Sequence, residues 1–196
     1  MADLVLASGS AIRAKILNAA GLNFEIVRPD VDESAIKEKM LLAGAALEDI
    51  AVALAEAKAL TVRAPGKIVL GSDQILEHRG RAFDKPRDRA EAHARLLELQ
   101  GDVHTLINGV AIVRNGEIVF RHVDRPKLYM RPMTGAEIER YLEEAGDEVL
   151  ASVGAYQIEA IGSRLFERID GDHFAVLGLS LFPVLAFLRS NGVGSF

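Results

Sequence analysis

The amino-acid sequence reads as an α/β fold, and three observations carry that reading. An apolar run at Leu4-Val5-Leu6-Ala7 turns at Ser8-Gly9-Ser10 straight into a helical segment. A second apolar run, Ile68-Val69-Leu70, has the character of a strand buried on both faces. Hydrophobicity then alternates on either side of Asn115-Gly116, the strongest short hairpin signal in the chain.

Each element follows from local chemistry. Ser10 is a good N-cap for the first helix, and Gly21 stops it. Phe24 to Val27 makes a short strand, followed by an acidic loop from Pro29 to Ser34. The Ala- and Leu-rich stretch from Leu47 to Val62 is helical in composition and period, carries Lys58, and ends before Ala64-Pro65-Gly66. The strand from Lys67 to Leu76 is interrupted by the polar triplet Ser72-Asp73-Gln74. A turn at His78-Arg79-Gly80 and a short strand lead to Asp84-Lys85-Pro86, then to a helix from Asp88 to Leu99 that Gly101 closes. Val103 to Val113 and Glu117 to His122 form the hairpin, and Thr134 with Glu137 makes a capping box for a helix over Gly135 to Ala145. An irregular glycine-rich stretch, a strand at Leu165 to Ile169, a Gly171-Asp172 turn and an apolar helix from Leu181 to Leu188 complete the pattern. No repeat, low-complexity tract or long linker divides the chain, so residues 1–196 read as one domain.

Composition narrows the function. With 196 residues, 49% of them hydrophobic, the chain can bury a core without help from metal or disulfides. The absence of cysteine excludes a disulfide framework, thiolate zinc sites and a cysteine nucleophile, and fits a reducing compartment. A net charge of -5 gives no basic footprint for duplex nucleic acid, though a locally positive pocket for a small anion stays open. Without a basic leader followed by a long apolar run, or any stretch of membrane-spanning length, the expectation is a cytoplasmic protein with no membrane partner. The five histidines lack metal-ligand spacing. Walker, G-x-G-x-x-G and G-x-S-x-G motifs are absent.

Several residues have the chemistry of a site. The helix that starts at Ser10 offers backbone N–H groups to an anion, and Ser8, Ser10, Arg13 and Lys15 add donors; the alternative is an ordinary capped strand-to-helix connection. Asp73 lies near the end of a strand that should be buried, where a carboxylate must be paired or bind a cation. It is therefore a metal ligand or a general base, or else a cap on the next turn. Asp32 and Glu33 are either the second carboxylate for a divalent metal or solvated loop charges. Lys85 is held extended by Pro86 and suits a phosphate. Glu159 is either an acceptor for adjacent N–H donors on a base edge such as guanine's, or a surface acid.

The ordered set Leu6-Ala7-Ser8-Gly9-Ser10 with Arg13, Val31-Asp32-Glu33, Lys58, Gly71-Ser72-Asp73-Gln74, Asp84-Lys85-Pro86 and Gly178-Leu179 closely resembles the Maf family of nucleoside triphosphate pyrophosphatases, across almost the whole chain. The resemblance implies an elongated twisted mixed sheet flanked by helices, two lobes with a cleft, and similarity to the inosine triphosphatase group. It implies a Mg²⁺- or Mn²⁺-dependent cleavage of a nucleoside triphosphate to monophosphate and pyrophosphate, commonly by a homodimer. Carried over by position, Asp73 matches the family's proton acceptor, and Ser8, Ser10, Arg13, Glu33, Lys58 and Lys85 match its phosphate- and metal-handling residues, with Glu33 and Asp73 as the metal pair. Gln74, Glu159 and the run Leu165-Phe166-Glu167-Arg168 with Gly171 resemble the 7-methylguanosine triphosphate branch. This sequence departs from the family at Ile12, where that branch is aromatic, at Ala175, usually Asn, and at Ala14, often a second arginine. The family is also associated with a second role, a nucleotide-binding regulator of septum formation or division that acts through a protein partner.

Overall fold

Three parallel strands begin the first of two units into which the chain divides in the computed structural model, which describes residues 3–194 of a mixed α/β fold. That unit comprises the chain up to Gln74, Ile107–Asp124, and the chain from Asp172 onward. β1 (Leu4–Ala7) pairs in parallel with β2 (Phe24–Val27) on one side and with β3 (Ile68–His78) on the other; Ala7 lies level with both Val27 and Gly71. Every β1 residue is buried, which is why its sequence is wholly apolar and does not alternate. The core gathers Leu4, Leu6, Leu17, Leu70, Ile112 and Leu188.

Helices α1 (Ala11–Ala19), α2 (Glu33–Leu42), α3 (Leu47–Thr61), α6 (His173–Val176) and α7 (Leu181–Ser190) complete this unit. It also holds the later part of β5 (Val103–Arg114) with its antiparallel partner β6 (Glu117–Asp124). The hairpin turns where predicted: Asn115 and Gly116 take φ of 53° and 82°, the left-handed pair that a tight two-residue turn needs.

How close α3 lies to the strands is set by residue size. Ala51, Ala55 and Ala59 recur every four residues and are fully buried. A Cβ on Gly71 would sit 2.1 Å from the Ala55 carbonyl oxygen, and one on Gly109 2.4 Å from that of Ala51. Alanine on the helix and glycine on the strands therefore let main chain approach main chain, and Lys58 in the last turn of α3 is buried as a result.

The second unit comprises Ile75–Leu106 and Arg125–Gly171. Here the end of β3 pairs with β4 (Arg81–Phe83), while β7 (Lys127–Met130) pairs antiparallel with the start of β5 and with β8 (Phe166–Asp170). α4 (Arg89–Leu99) is capped by Asp88, and α5 (Gly135–Ala145) by the predicted box, in which Thr134 and Glu137 bond each other's backbone N–H.

Three features differ from expectation. The acidic loop ends at Asp32, whose carboxylate caps α2, so Glu33 is the first residue of a helix. No residue of α2 is buried, so no hydrophobic period marked it. The triplet Ser72-Asp73-Gln74 does not interrupt β3, which runs unbroken to His78. β7 and α6 were also unanticipated; each is only four residues long. Among the described residues no helix is long and apolar enough to cross a membrane.

Candidate active site

The C-terminal ends of the three parallel strands place the candidate site. In open α/β sheets ligands gather there, because chain leaving adjacent strands converges on one edge. β1 delivers Ser8, Ser10 and Arg13, β2 leads to Glu33, β3 carries Asp73, and α3 supplies Lys58.

The centre is an ion triad. Lys58 Nζ lies 2.6 Å from Asp73 Oδ1 and 2.9 Å from Glu33 Oε2, so one buried ammonium joins two carboxylates from different elements. Asp73 is itself buried, and its partner is Lys58, which overturns the turn-cap alternative. Glu33 remains about half exposed and marks the open side.

Arg13 is the second cation. Its Nε donates to the Gly178 carbonyl at 2.7 Å and its Nη1 to Ser8 Oγ at 3.2 Å. Burial pulls its guanidinium below the ordinary arginine range, while the Asp73 and Glu33 charges act in the opposite direction. Ser8 Oγ also accepts from Ser10 N at 3.2 Å, so both of these contacts use its acceptor side. Ser10 Oγ caps α1 by accepting from Arg13 N at 3.5 Å, the predicted capping role.

Beneath the cations runs a buried polar layer that the sequence reading did not assign. Ser72, Asn108 and Ser180 are all fully buried. The Asn108 amide is oriented to donate to the main-chain oxygens of Asp73 (3.2 Å) and Gly178 (3.0 Å) and to accept from Ser180 N (3.0 Å) and Oγ (2.8 Å). Ser72 Oγ donates to the same Gly178 carbonyl at 3.0 Å. That carbonyl thus gathers Arg13, Ser72 and Asn108, and ties the guanidinium to the strand that carries Asp73. The available signal was an asparagine inside the otherwise apolar run Leu106-Ile107-Asn108-Gly109-Val110.

The remaining predicted residues fall as follows. Gln74 Nε2 donates to the Ala175 and Val176 carbonyls at 2.8 and 3.2 Å, so its amide nitrogen is committed to holding α6. Ile12 is half buried and packs against the hydrophobic core. Lys15 faces solvent. Lys85 and Glu159 belong to the second unit, and both are exposed.

Asp73 and Glu33 both reach the Lys58 ammonium, so a divalent cation of the magnesium type, which takes one or two protein carboxylates and leaves its other positions to phosphate oxygens and water, would share them with that lysine. Among the described residues there is no group of three metal-ligating side chains, so a self-sufficient protein cage for a metal is not present.

Comparison with known proteins identifies the family. The profile of the family described as Maf-like protein matches residues 3–191. A nucleoside triphosphate pyrophosphatase of Nitrobacter hamburgensis is 46% identical over 97% of this chain and 94% of its own length. One from Rhodopseudomonas palustris is 49% identical over 97% and 94%, and a 7-methyl-GTP pyrophosphatase of Rhizobium meliloti is 44% identical over 96% of both chains. With near-complete coverage on both sides, the chain belongs to the Maf family.

Proposed function

We propose that the chain is a hydrolase that splits the α–β phosphoanhydride of a nucleoside triphosphate, releasing the monophosphate and pyrophosphate. The observation that carries the reading is the Lys58 bridge between Asp73 and Glu33, set beside the Ser8–Arg13 anion site on the same strand edge. Matching relatives bear the name of that activity.

The residues have separable tasks. Ser8, Ser10, Arg13 and Lys58 hold phosphate oxygens, with the N-terminus of α1 adding backbone dipole; Lys85 of the second unit is assigned to the same task. These cations stabilise charge as it builds on the equatorial oxygens and the departing pyrophosphate. Asp73 takes the proton of the attacking water. Glu33 and Asp73 would hold Mg²⁺ or Mn²⁺, which supplies charge neutralisation and water activation when bound. Ile12, Gln74 and Glu159 are assigned to the base, with 7-methyl-GTP as the favoured class. Gln74 then acts through its amide oxygen, because its nitrogen is engaged. The enzyme works as a homodimer in the cytoplasm. No observation favours the regulator reading.

The test is product analysis across normal and modified nucleoside triphosphates with Mg²⁺, Mn²⁺ or excess chelator. Pyrophosphate and monophosphate are expected with either metal and none with chelator. Orthophosphate as the first product, or full activity in chelator, overturns the reading.

A further inference from the structure

Arg95 of α4 is almost wholly buried, yet it bonds no substrate-facing group. Its Nη1 donates to two main-chain carbonyls in separate segments of the second unit: that of Asp84, at 2.7 Å, and that of Val153. Nη2 reaches Glu91 at 3.5 Å, and the guanidinium lies 4.6 Å from the centre of the Phe83 ring. Asp84 immediately precedes Lys85, and Val153 opens the irregular stretch that leads to Glu159.

Neither segment has a ladder or helix to hold it. The second is under strain as well, since Ala155 takes a left-handed φ of 58°, costly for a residue with a Cβ. It is also held by the Tyr141 hydroxyl, which donates to the Ala155 carbonyl at 3.4 Å, by the Tyr156 hydroxyl, 2.7 Å from His104 Nε2, and by Gln157 Nε2, which donates to the Glu148 carbonyl at 3.4 Å. Arg95 joins this segment to the Lys85 turn. Burying a guanidinium for packing alone is a poor choice, because an apolar side chain of similar volume fills the same space without the desolvation cost.

We propose that Arg95 is a positioning residue for turnover and base choice: by gripping the Asp84 and Val153 carbonyls with one nitrogen, it fixes where the Lys85 turn and the Glu159 segment stand. The proposal rests on the pyrophosphatase reading, in which Lys85 meets phosphate and Glu159 the base. A lysine ammonium can also donate to two acceptors, but it sits one atom nearer the backbone than Nη1 and gives up the Glu91 bond of Nη2 and the guanidinium plane against Phe83. Arg95→Lys should therefore retain part of the function and Arg95→Met little.

The experiment compares Arg95→Met, Arg95→Lys and Leu142→Ala, a buried α5 residue in the same unit that truncates the core without touching either segment's hydrogen bonds. Melting temperature, kcat and KM on 7-methyl-GTP and dTTP, and hydrogen exchange at residues 84–86 and 153–159 are measured for each. Expected for Arg95→Met is a fall in kcat/KM of about tenfold or more, with a ratio between the two substrates at least about threefold nearer unity, the scale for misplaced groups in a working site. Exchange should quicken in both segments, with Arg95→Lys intermediate. Leu142→Ala should lower the melting temperature and leave the substrate ratio as in the wild type. Should Arg95→Met fail to fold, Arg95→Lys carries the same comparison. Unchanged kinetics and exchange in the Arg95 variants, or changes that Leu142→Ala reproduces at equal loss of stability, overturn the proposal. A wild-type protein inactive on every triphosphate defeats the functional reading instead, and the positioning claim is then decided by exchange alone.

Discussion

At Asp73 two demands meet: the main-chain oxygen accepts from Asn108 within the buried layer, and the carboxylate stands on Lys58. Asp73→Asn keeps the size and an oxygen for Lys58 but can no longer take a proton. It should lower kcat by about two orders of magnitude or more with an unchanged circular dichroism spectrum. A kcat within a few-fold of wild type would reduce Asp73 to an anchor for Lys58. A different residue contributes to acid stability. His104 lies against Tyr156 and Phe166, and burial pushes its pKa from 6.5 down to about 3. Between those values the unfolded chain binds a proton that the folded one refuses, so stability falls as pH drops below 6.5 and the loss is complete near 3. From pH 7 to pH 5 the loss should be about 2 kcal/mol. Urea midpoints at both values should show that slope in the wild type and not in His104→Gln.

At the level of elements, the contact of α3 with β3 and β5 decides whether Lys58 reaches Asp73. Gly71→Ala places a methyl group 2.1 Å from the Ala55 carbonyl oxygen, a backbone atom that cannot swing away. The helix must lift, so a stability loss of about 2 kcal/mol or more is expected, together with weaker turnover as Lys58 is drawn back. Denaturation midpoints and kcat on one preparation check both. The same element shows what was legible. The sequence predicts α3 from Leu47 to Val62 against an observed Leu47–Thr61, because its apolar face has a helical period. α2 is not legible in that way, because a helix with no buried residue leaves no such period, and Glu33 accordingly reads as a loop residue. The sequence marks Asp73 as a carboxylate in a buried strand and predicts that the strand breaks there, whereas β3 runs on to His78. It continues because Lys58 and Asn108 satisfy the polar groups, and both lie far from Asp73 in sequence. Asn108 itself is a lone polar residue with no motif spacing, visible only once the strands are paired.

Across the whole molecule, the residues assigned to phosphate and metal sit mainly in the first unit, and Glu159, assigned to the base, sits in the second. Phosphate is common to every substrate, so contacts to it carry no base information. Arg13→Ala should therefore lower kcat/KM for all nucleotides by a similar factor, and Lys85→Ala should do the same although it belongs to the second unit. Glu159→Gln should instead change the ranking: a carboxylate accepts from two adjacent N–H donors, whereas a primary amide presents one acceptor and one donor, leaving one ligand donor badly matched at a cost of about 1–3 kcal/mol. Guanine-type triphosphates should lose that much relative to pyrimidine ones. Paired-substrate competition between 7-methyl-GTP and dTTP gives the ratio directly, free of errors in enzyme concentration. A ratio shifted by Arg13→Ala at an undiminished rate would assign that cation to the base. A ratio left in place by Glu159→Gln would remove Glu159 from the recognition set and withdraw the guanine-type preference, while cleavage to pyrophosphate stood on the Asp73–Lys58–Glu33 triad.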